Sequence, residues 1–350
     1  MTRTEQCVVC LGLPAFHDES HLERLRAIPG VRPEILPIDP GGDWLTASPV
    51  EPYVEPPPWA LSVLAEREAC YERAHVLVAL HTPDRLPERA PNLRWAQGIG
   101  AGVEQFGKAG LGPNGSVILT NAAGVSSGSI AEWVIARLLQ IWKRLRETDL
   151  HQTRHEFERT YGRTFAGSTI GIVGLGNIGV AVAVRARALG CRVLGLKRSA
   201  RPGDRSEHVD ALFAPPELDA MLGQCDAVVV AAPDTPETYK LIDAKALAAM
   251  RSDAVLVNVA RGALLDEAAL ADAMRAGKLG AAVLDVFDPE PLDPGSPLWD
   301  LPGVYISAHS SVSVDRYMED VFDLFVDNVE RFVEGKPLRN VVDMESLGFS

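Results

Sequence analysis

The sequence predicts a two-domain α/β protein whose larger domain is a doubly wound parallel sheet. Three features predict it: a glycine turn set between a strand and a helix, a regular alternation of strand-length and helix-length apolar segments, and a length of 350 residues. A single hydrophobic core stops growing at about 250–300 residues, so a chain of this length is expected to divide.

The glycine turn lies within residues 168–196. A β-branched run, Ile170, Ile172 and Val173, meets Gly174, Gly176 and Gly179, and an Ala/Val-rich segment then leads through Gly190 to a second apolar run, Val193 to Leu196. This reads as strand, tight turn, helix, strand, the context in which G-x-G-x-x-G has a mechanism. Gly174 permits the turn, Gly176 lets backbone approach a pyrophosphate, and Gly179 lets helix and strand pack closely. Asn177 and Ile178 open the helix, whose free N–H groups and dipole favour the phosphates.

The N-terminal third reads as a smaller α/β unit. Short apolar runs at Gln6–Leu11, Val31–Ile38, His75–Leu80, Leu93–Gln97 and Ser116–Leu119 alternate with polar or helical segments such as Glu19–Ala27, which implies a parallel sheet. Between the second and third runs, the Pro-rich segment 48–58 and Trp59 are expected to form a surface excursion, with Tyr53 and Trp59 packing on their own domain. After Leu93–Gln97, Gly98, Gly100 and Gly102 precede a helix start near Val103. Their exposed N–H groups form an anion nest sized for a carboxylate.

Ser127–Arg146 has apolar residues at helical spacing over a broad face and reads as one long buried helix. With Trp133 and Trp142 on it, the helix is expected to connect domains and form a dimer. A polar stretch, His151–Thr164, leads into the glycine turn. Beyond it, strands at Ala227–Ala231, Val255–Val259 and Gly280–Val286 alternate with helices at Ala244–Met250 and Glu267–Ala276, and a final amphipathic helix, Tyr317–Glu334, returns to the first domain.

Composition sets outer limits. The chain is 47% hydrophobic and 23% charged, an ordinary globular balance. Its net charge of −13 argues against nucleic acid as a partner. The polar start and the lack of a span-length apolar run predict no membrane segment and a cytoplasmic protein. Five scattered cysteines suit reduced core thiols better than a disulfide framework. Cys7 and Cys10, three positions apart in a strand, face opposite sides, and no metal site is expected.

The chemistry is sought where polar residues end strands on the cofactor side. Three places qualify: Arg261 in N-V-A-R-G, Asp285 and Glu290 in D-V-F-D-P-E-P-L, and His309 in Y-I-S-A-H-S. Arginine binds carboxylate bidentately, histidine exchanges a proton near neutral pH, and a carboxylate bonded to histidine favours its protonated form. This is the set that reduction of a 2-oxo acid requires.

On these motifs, together with G-I-G-A-G-V-E, N-A-A-G-V-S-S-G-S-I-A-E-W-V, G-L-G-N-I-G and A-A-P-D-T-P-E-T, the chain resembles the D-isomer-specific 2-hydroxyacid dehydrogenase family, in the manner of its glyoxylate/hydroxypyruvate reductases. The resemblance implies a Rossmann cofactor domain, residues 123–312. It also implies a flavodoxin-like substrate domain made of residues 1–122 and 313–350. Arg261 would bind substrate carboxylate and carbonyl, His309 would be the acid/base and Glu290 would tune it. Gly100, Ala101, Gly102 and Val103 would hold the carboxylate, while Pro233, Thr238, Ala260 and Asp285 would contact the cofactor, Asp285 at its nicotinamide end.

The chain departs from the family at Ala308, where proline is usual, and at Ser310 and Ser311, where glycine is usual. These changes bear on the pocket beyond His309. A formate dehydrogenase would pair its histidine with glutamine, which Glu290 contradicts. A corepressor-like, cofactor-sensing binding protein is the alternative from another class.

The second strand of the glycine unit ends in Lys197, Arg198 and Ser199 rather than in an acid. A carboxylate there would bond a ribose 2′-OH, whereas cations and a hydroxyl suit a 2′-phosphate. NADP(H) is therefore the expected cofactor, with NAD(H) the second candidate.

Overall fold

A computed structural model of the chain describes residues 6–37, 58–201, 203–313 and 315–345. The chain divides into two compact units, one drawn from residues 1–125 and 314–350, the other spanning Ser126–Ser313.

In the first unit, β1 (Cys7–Leu11), α1 (Glu19–Arg26), β2 (Val31–Ile35), α2 (Pro58–Arg73), β3 (Val76–Ala79), α3 (Leu86–Arg89), β4 (Trp95–Gly98), α4 (Glu104–Lys108) and β5 (Ile118–Thr120) follow in order. The strands form a parallel sheet ordered β2-β1-β3-β4-β5. Because side chains alternate along a strand, Cys7, Val9 and Leu11 enter one core with Leu25 of α1, while Cys10, Leu77 and Ala96 enter the other.

The Pro-rich excursion lies largely outside the described residues. Its last positions, Pro58 and Trp59, are helical, since proline is tolerated in a first helical turn.

The second unit runs through α5 (Ser127–Trp142), α6 (Leu145–Thr153), β6 (Thr169–Val173), α7 (Asn177–Ala188), β7 (Arg192–Leu196), β8 (Ala211–Phe213), α8 (Leu218–Leu222), β9 (Ala227–Val230), α9 (Ala244–Ala249), β10 (Val255–Asn258), α10 (Glu267–Arg275), β11 (Ala281–Leu284) and β12 (Val304–Ile306). Among the described residues its parallel sheet has the order β12-β11-β10-β9-β6-β7-β8. Order reverses between β6 and β9, the switch point where doubly wound folds bind ligands. Ile170, Val193, Val229 and Val257 meet α5 and α7 on one face; Leu194, Val228 and Leu256 meet α8, α9 and α10 on the other. The short strand β8 and helix α8 are additions to the sequence-based expectation, being too brief to carry a clear period.

α11 (Tyr317–Val333) belongs to the first unit. It buries Phe322, Phe325 and Val329, and Phe325 lies 5.5 Å from the ring of Trp95. A buried polar chain reinforces it: Asn328 Nδ2 donates to Gln97 Oε1 at 3.1 Å, and Trp95 Nε1 donates to Thr120 Oγ1 at 2.8 Å.

Two expectations need correction. The helix read over 127–146 stops at Trp142, and Arg144 takes φ +55 before α6 begins. The returning segment causes the break. Gly162 presses on Trp142 O, where a Cβ would overlap it, Arg163 N donates to that oxygen at 2.8 Å, and the Arg163 guanidinium covers the indole at 4.4 Å. Much of the apolar face of α5 is covered within its own unit, where Ile130, Ala131, Val134 and Leu138 are buried with Val182 and Ala186 of α7, while Trp133, Leu139 and Ile141 are only partly buried.

The second correction concerns the cysteines. Cys10 and Cys70 are joined in a disulfide, because Cys10 points to the face that α2 covers. A separation of 60 residues leaves no trace of that pairing in the sequence. Cys7, Cys191 and Cys225 are free and buried. Burial pushes the thiols of Cys7 and Cys191 up to about 11 and that of Cys225 up to about 12, which removes the reactive thiolate at neutral pH. A colorimetric thiol reagent should therefore find no reactive cysteine in the native protein. It should find three in denaturant and all five once reductant has been applied and removed; a thiol that reacts in the native state would contradict this packing.

Candidate active site

β6 runs into Gly174, which takes φ +99 and lies so close to the next strand's continuation that a Cβ would fall 2.6 Å from Ala232 backbone. A Cβ on Gly179 would overlap the carbonyl of Gly174, so α7 and β6 approach as only glycine allows. Gly176 is different. It is the N-cap of α7, offers no side-chain cap, and a Cβ there would meet nothing within 4 Å. That open surface above the helix N-terminus, with Asn177 exposed and Ile178 half-buried, fits a dinucleotide pyrophosphate.

Lys197, Arg198 and Ser199 follow β7 and are all exposed. Ala200 N closes the turn on Lys197 O at 3.0 Å. Arg198 is near enough to Glu237 to help hold that carboxyl below its ordinary range, after the amide of Glu237 itself and the Thr235 hydroxyl. The turn after β9 is closed by Thr238, whose hydroxyl donates to Pro233 O at 2.7 Å. The ends of β6, β7 and β9 thus bring together the residues expected at the cofactor.

The remaining chemistry stands at the ends of β10, β11 and β12. Buried Asn258, not foreseen from sequence, braces the arginine turn: its Nδ2 donates to Arg261 O at 3.0 Å and its Oδ1 accepts from Ala260 N at 3.1 Å. Arg261 itself donates from Nη1 to Ala260 O at 2.8 Å. A Cβ on Gly262 would overlap Phe287 backbone, so this turn lies hard against the segment that carries Glu290. Glu267 adds a second tie, accepting from Asp288 N at 3.0 Å, and burial pushes its carboxyl above the usual carboxylate range.

Glu290 accepts from Phe287 N at 2.9 Å through Oε1, and its Oε2 lies 3.0 Å from His309 Nδ1. His309 takes φ +50, a left-handed conformation that is strained for any residue but glycine. Its amide donates to Asp285 O at 2.8 Å. The Asp285 carboxylate, only 1% exposed, accepts from Ser307 Oγ at 2.7 Å, Ser310 N at 2.9 Å and Ser311 N at 3.1 Å. In the protein itself these oxygens serve the backbone around His309. They clamp the turn that presents His309, and Ser307 is a further participant that the sequence did not single out.

In the first unit, the 99–103 loop is held by its carbonyls: Gly100 O accepts from Ala122 N at 2.9 Å, Ala101 O accepts from Asn121 Nδ2 at 2.8 Å, and Ile99 O accepts from the Tyr317 hydroxyl. The amides of Ala101 and Gly102 have no partner among the described residues, and Val103 is buried at the start of α4. These amides are the donors that the loop has free.

Residues 135–311 match the family model described as D-isomer specific 2-hydroxyacid dehydrogenase, NAD binding domain. The chain belongs to this family. As a D-isomer specific 2-hydroxyacid dehydrogenase it is an NAD(P)-dependent oxidoreductase.

A glyoxylate/hydroxypyruvate reductase B from Citrobacter koseri is 33% identical over 269 residues, 75% of this chain and 82% of that protein. A D-3-phosphoglycerate dehydrogenase from Archaeoglobus fulgidus is 31% identical over 262 residues, and the match spans 49% of its length. Among solved structures, a D-isomer specific 2-hydroxyacid dehydrogenase family protein from Aeromonas salmonicida has 30% identity and a TM-score of 0.77, over 97% of this chain and 100% of that one. An NADPH-dependent glyoxylate/hydroxypyruvate reductase from Sinorhizobium meliloti, solved with NADP and sulfate, has 27% identity and a TM-score of 0.74, over 97% and 99% of the two chains.

Proposed function

We propose that this protein reduces a 2-oxo acid to the D-2-hydroxy acid with NADP(H), and that His309 supplies the proton. The observation that carries this reading is the His309–Glu290 pair at 3.0 Å, held in place by a backbone locked onto Asp285. With Nδ1 taken by Glu290, Nε2 is the nitrogen left to protonate the oxygen at C2 as charge develops there. The Arg261 guanidinium grips the substrate carboxylate and steadies the developing charge. The bound nicotinamide supplies or takes up the hydride. Relatives named as glyoxylate/hydroxypyruvate reductases support the substrate class.

The replacement His309→Ala should lower kcat by roughly 10²-fold or more, because general acid catalysis contributes on that order. Binding of NADPH, followed by its fluorescence, should survive. Unchanged turnover would remove His309 from the mechanism.

Preference for NADP(H) rests on Lys197, Arg198 and Ser199 at the end of β7, all exposed, with no acid among them. The neighbour from Sinorhizobium meliloti, solved with NADP, supports it. One charge-assisted contact of about 1.5–3 kcal/mol corresponds to about tenfold or more in selectivity. Steady-state kinetics should give that margin in kcat/KM for NADPH over NADH, and replacement of Lys197 and Arg198 by alanine should erase it. Equal efficiency with NADH in the unmodified protein would refute the assignment.

We propose further that the protein is a homodimer. Its support is now the segment after α5, where Phe157 is 103% and Tyr161 76% exposed and Leu145 and Leu150 are also open. Light scattering at micromolar concentration should report twice the 37.7 kDa of one chain. A monomer mass there, or no loss of dimer in Phe157→Ser, would contradict this.

A further inference from the structure

Beside the His309–Glu290 pair lies a cavity of about 360 Å³, whose lining includes those two residues. The rest of its lining is apolar: Phe287, Pro291, Leu292, Trp299, Ile306 and Ala308. The indole of Trp299 is set in place by its own Nε1–H, which donates to Asp293 O at 3.0 Å, so the ring offers an apolar surface. Buried Leu298 anchors the turn that carries it, and Ser296 caps that turn at Leu298 N. The methyl of Ala308 leaves space immediately before the histidine.

We propose that this cavity receives the side chain of a bulky apolar 2-oxo acid, aromatic or branched aliphatic, and that the enzyme prefers such acids to glyoxylate. The inference rests on the reading of His309 as proton donor. A C2 oxygen within reach of the imidazole places C3 and the atoms beyond it near the same wall. The volume is at the low end of the range of about 300–1,000 Å³ typical of ligand pockets, suited to a benzyl or isobutyl group rather than to a second cofactor.

Glyoxylate has only hydrogen at that position and would leave the apolar lining wet. Each methylene buried there should raise kcat/KM about fourfold. A phosphorylated acid would meet the carboxylate of Glu290 and no arginine or lysine in the lining, with only the proton-donating His309 to face a dianion.

The test is kcat/KM of the full chain with NADPH for glyoxylate, pyruvate, 2-oxopentanoate, 4-methyl-2-oxopentanoate, phenylpyruvate and 3-phosphohydroxypyruvate. The expected order rises at least tenfold from glyoxylate to the better of the two bulky acids and places the phosphorylated acid last. Filling the cavity by Ala308→Leu should cut the ratio of phenylpyruvate to glyoxylate at least tenfold. If that variant fails to fold by circular dichroism, Trp299→Ala should reduce the same ratio by a similar factor. Glyoxylate as best substrate, or a bulky-acid preference unmoved by the folded variants, overturns the pocket assignment and leaves 2-oxo acid reduction standing. Failure to reduce any of the acids overturns both.

Discussion

Asp285 ends β11 as a buried carboxylate with three donors gathered around it, and the position of His309 follows from that arrangement. A buried charge is costly unless it is hydrogen-bonded, so the chain from Ser307 to Ser311 has to fold around the two oxygens. That requirement holds His309 at φ +50, at a cost of about 1 kcal/mol, and turns its imidazole toward Glu290. The strain is local; the hydrogen bonds that offset it join residues 22, 25 and 26 positions apart. Glu290 is fixed in turn by Phe287 N, one short segment beyond β11.

The same sheet edge gathers the rest. In a parallel doubly wound sheet every strand ends on one side, so the glycine turn after β6, the cationic turn after β7 and the arginine turn after β10 share an edge with His309. Steric exclusion shapes this edge as much as hydrogen bonding does. Gly174 and Gly179 draw α7 onto β6, and Gly262 draws the Arg261 turn onto Phe287, because no side chain could occupy those gaps. Gly176 has the opposite character: its missing side chain leaves open space where a ligand can lie.

In the first unit the loop over Ile99–Val103 is fixed by groups distant in sequence. Tyr317, at the start of α11, bonds Ile99 O, and Asn340 donates to Asn121 O and Ala123 O, bracing the residue that holds Ala101. α11 stays in this unit through Phe322, Phe325 and the buried Asn328. The return of the C-terminal helix therefore sets the geometry of a loop more than two hundred residues earlier, by Tyr317 and by aromatic packing on Trp95.

The sequence by itself determined whatever depends on neighbours along the chain. The period of the apolar runs marks nearly every strand and several of the helices, though not α2, since burial of one or both faces writes directly into local pattern. Gly174, Gly176 and Gly179 reveal the turn because their backbone demands are local. Arg261, Glu290 and His309 are legible because each ends a strand on the edge where such sheets bind ligands.

Tertiary structure alone decided what depends on contacts across the sheet. Cys10 meets Cys70 because α2 covers the face toward which Cys10 points. α5 ends at Trp142 because Gly162 and Arg163 return to its last carbonyl, and α7 covers much of its apolar face. Asp285 gathers Ser307, Ser310 and Ser311, because a buried carboxylate takes the donors that the fold brings to it. Each of these outcomes needs two segments far apart in sequence to meet, and periodicity along one segment carries no record of which other segment will cover it.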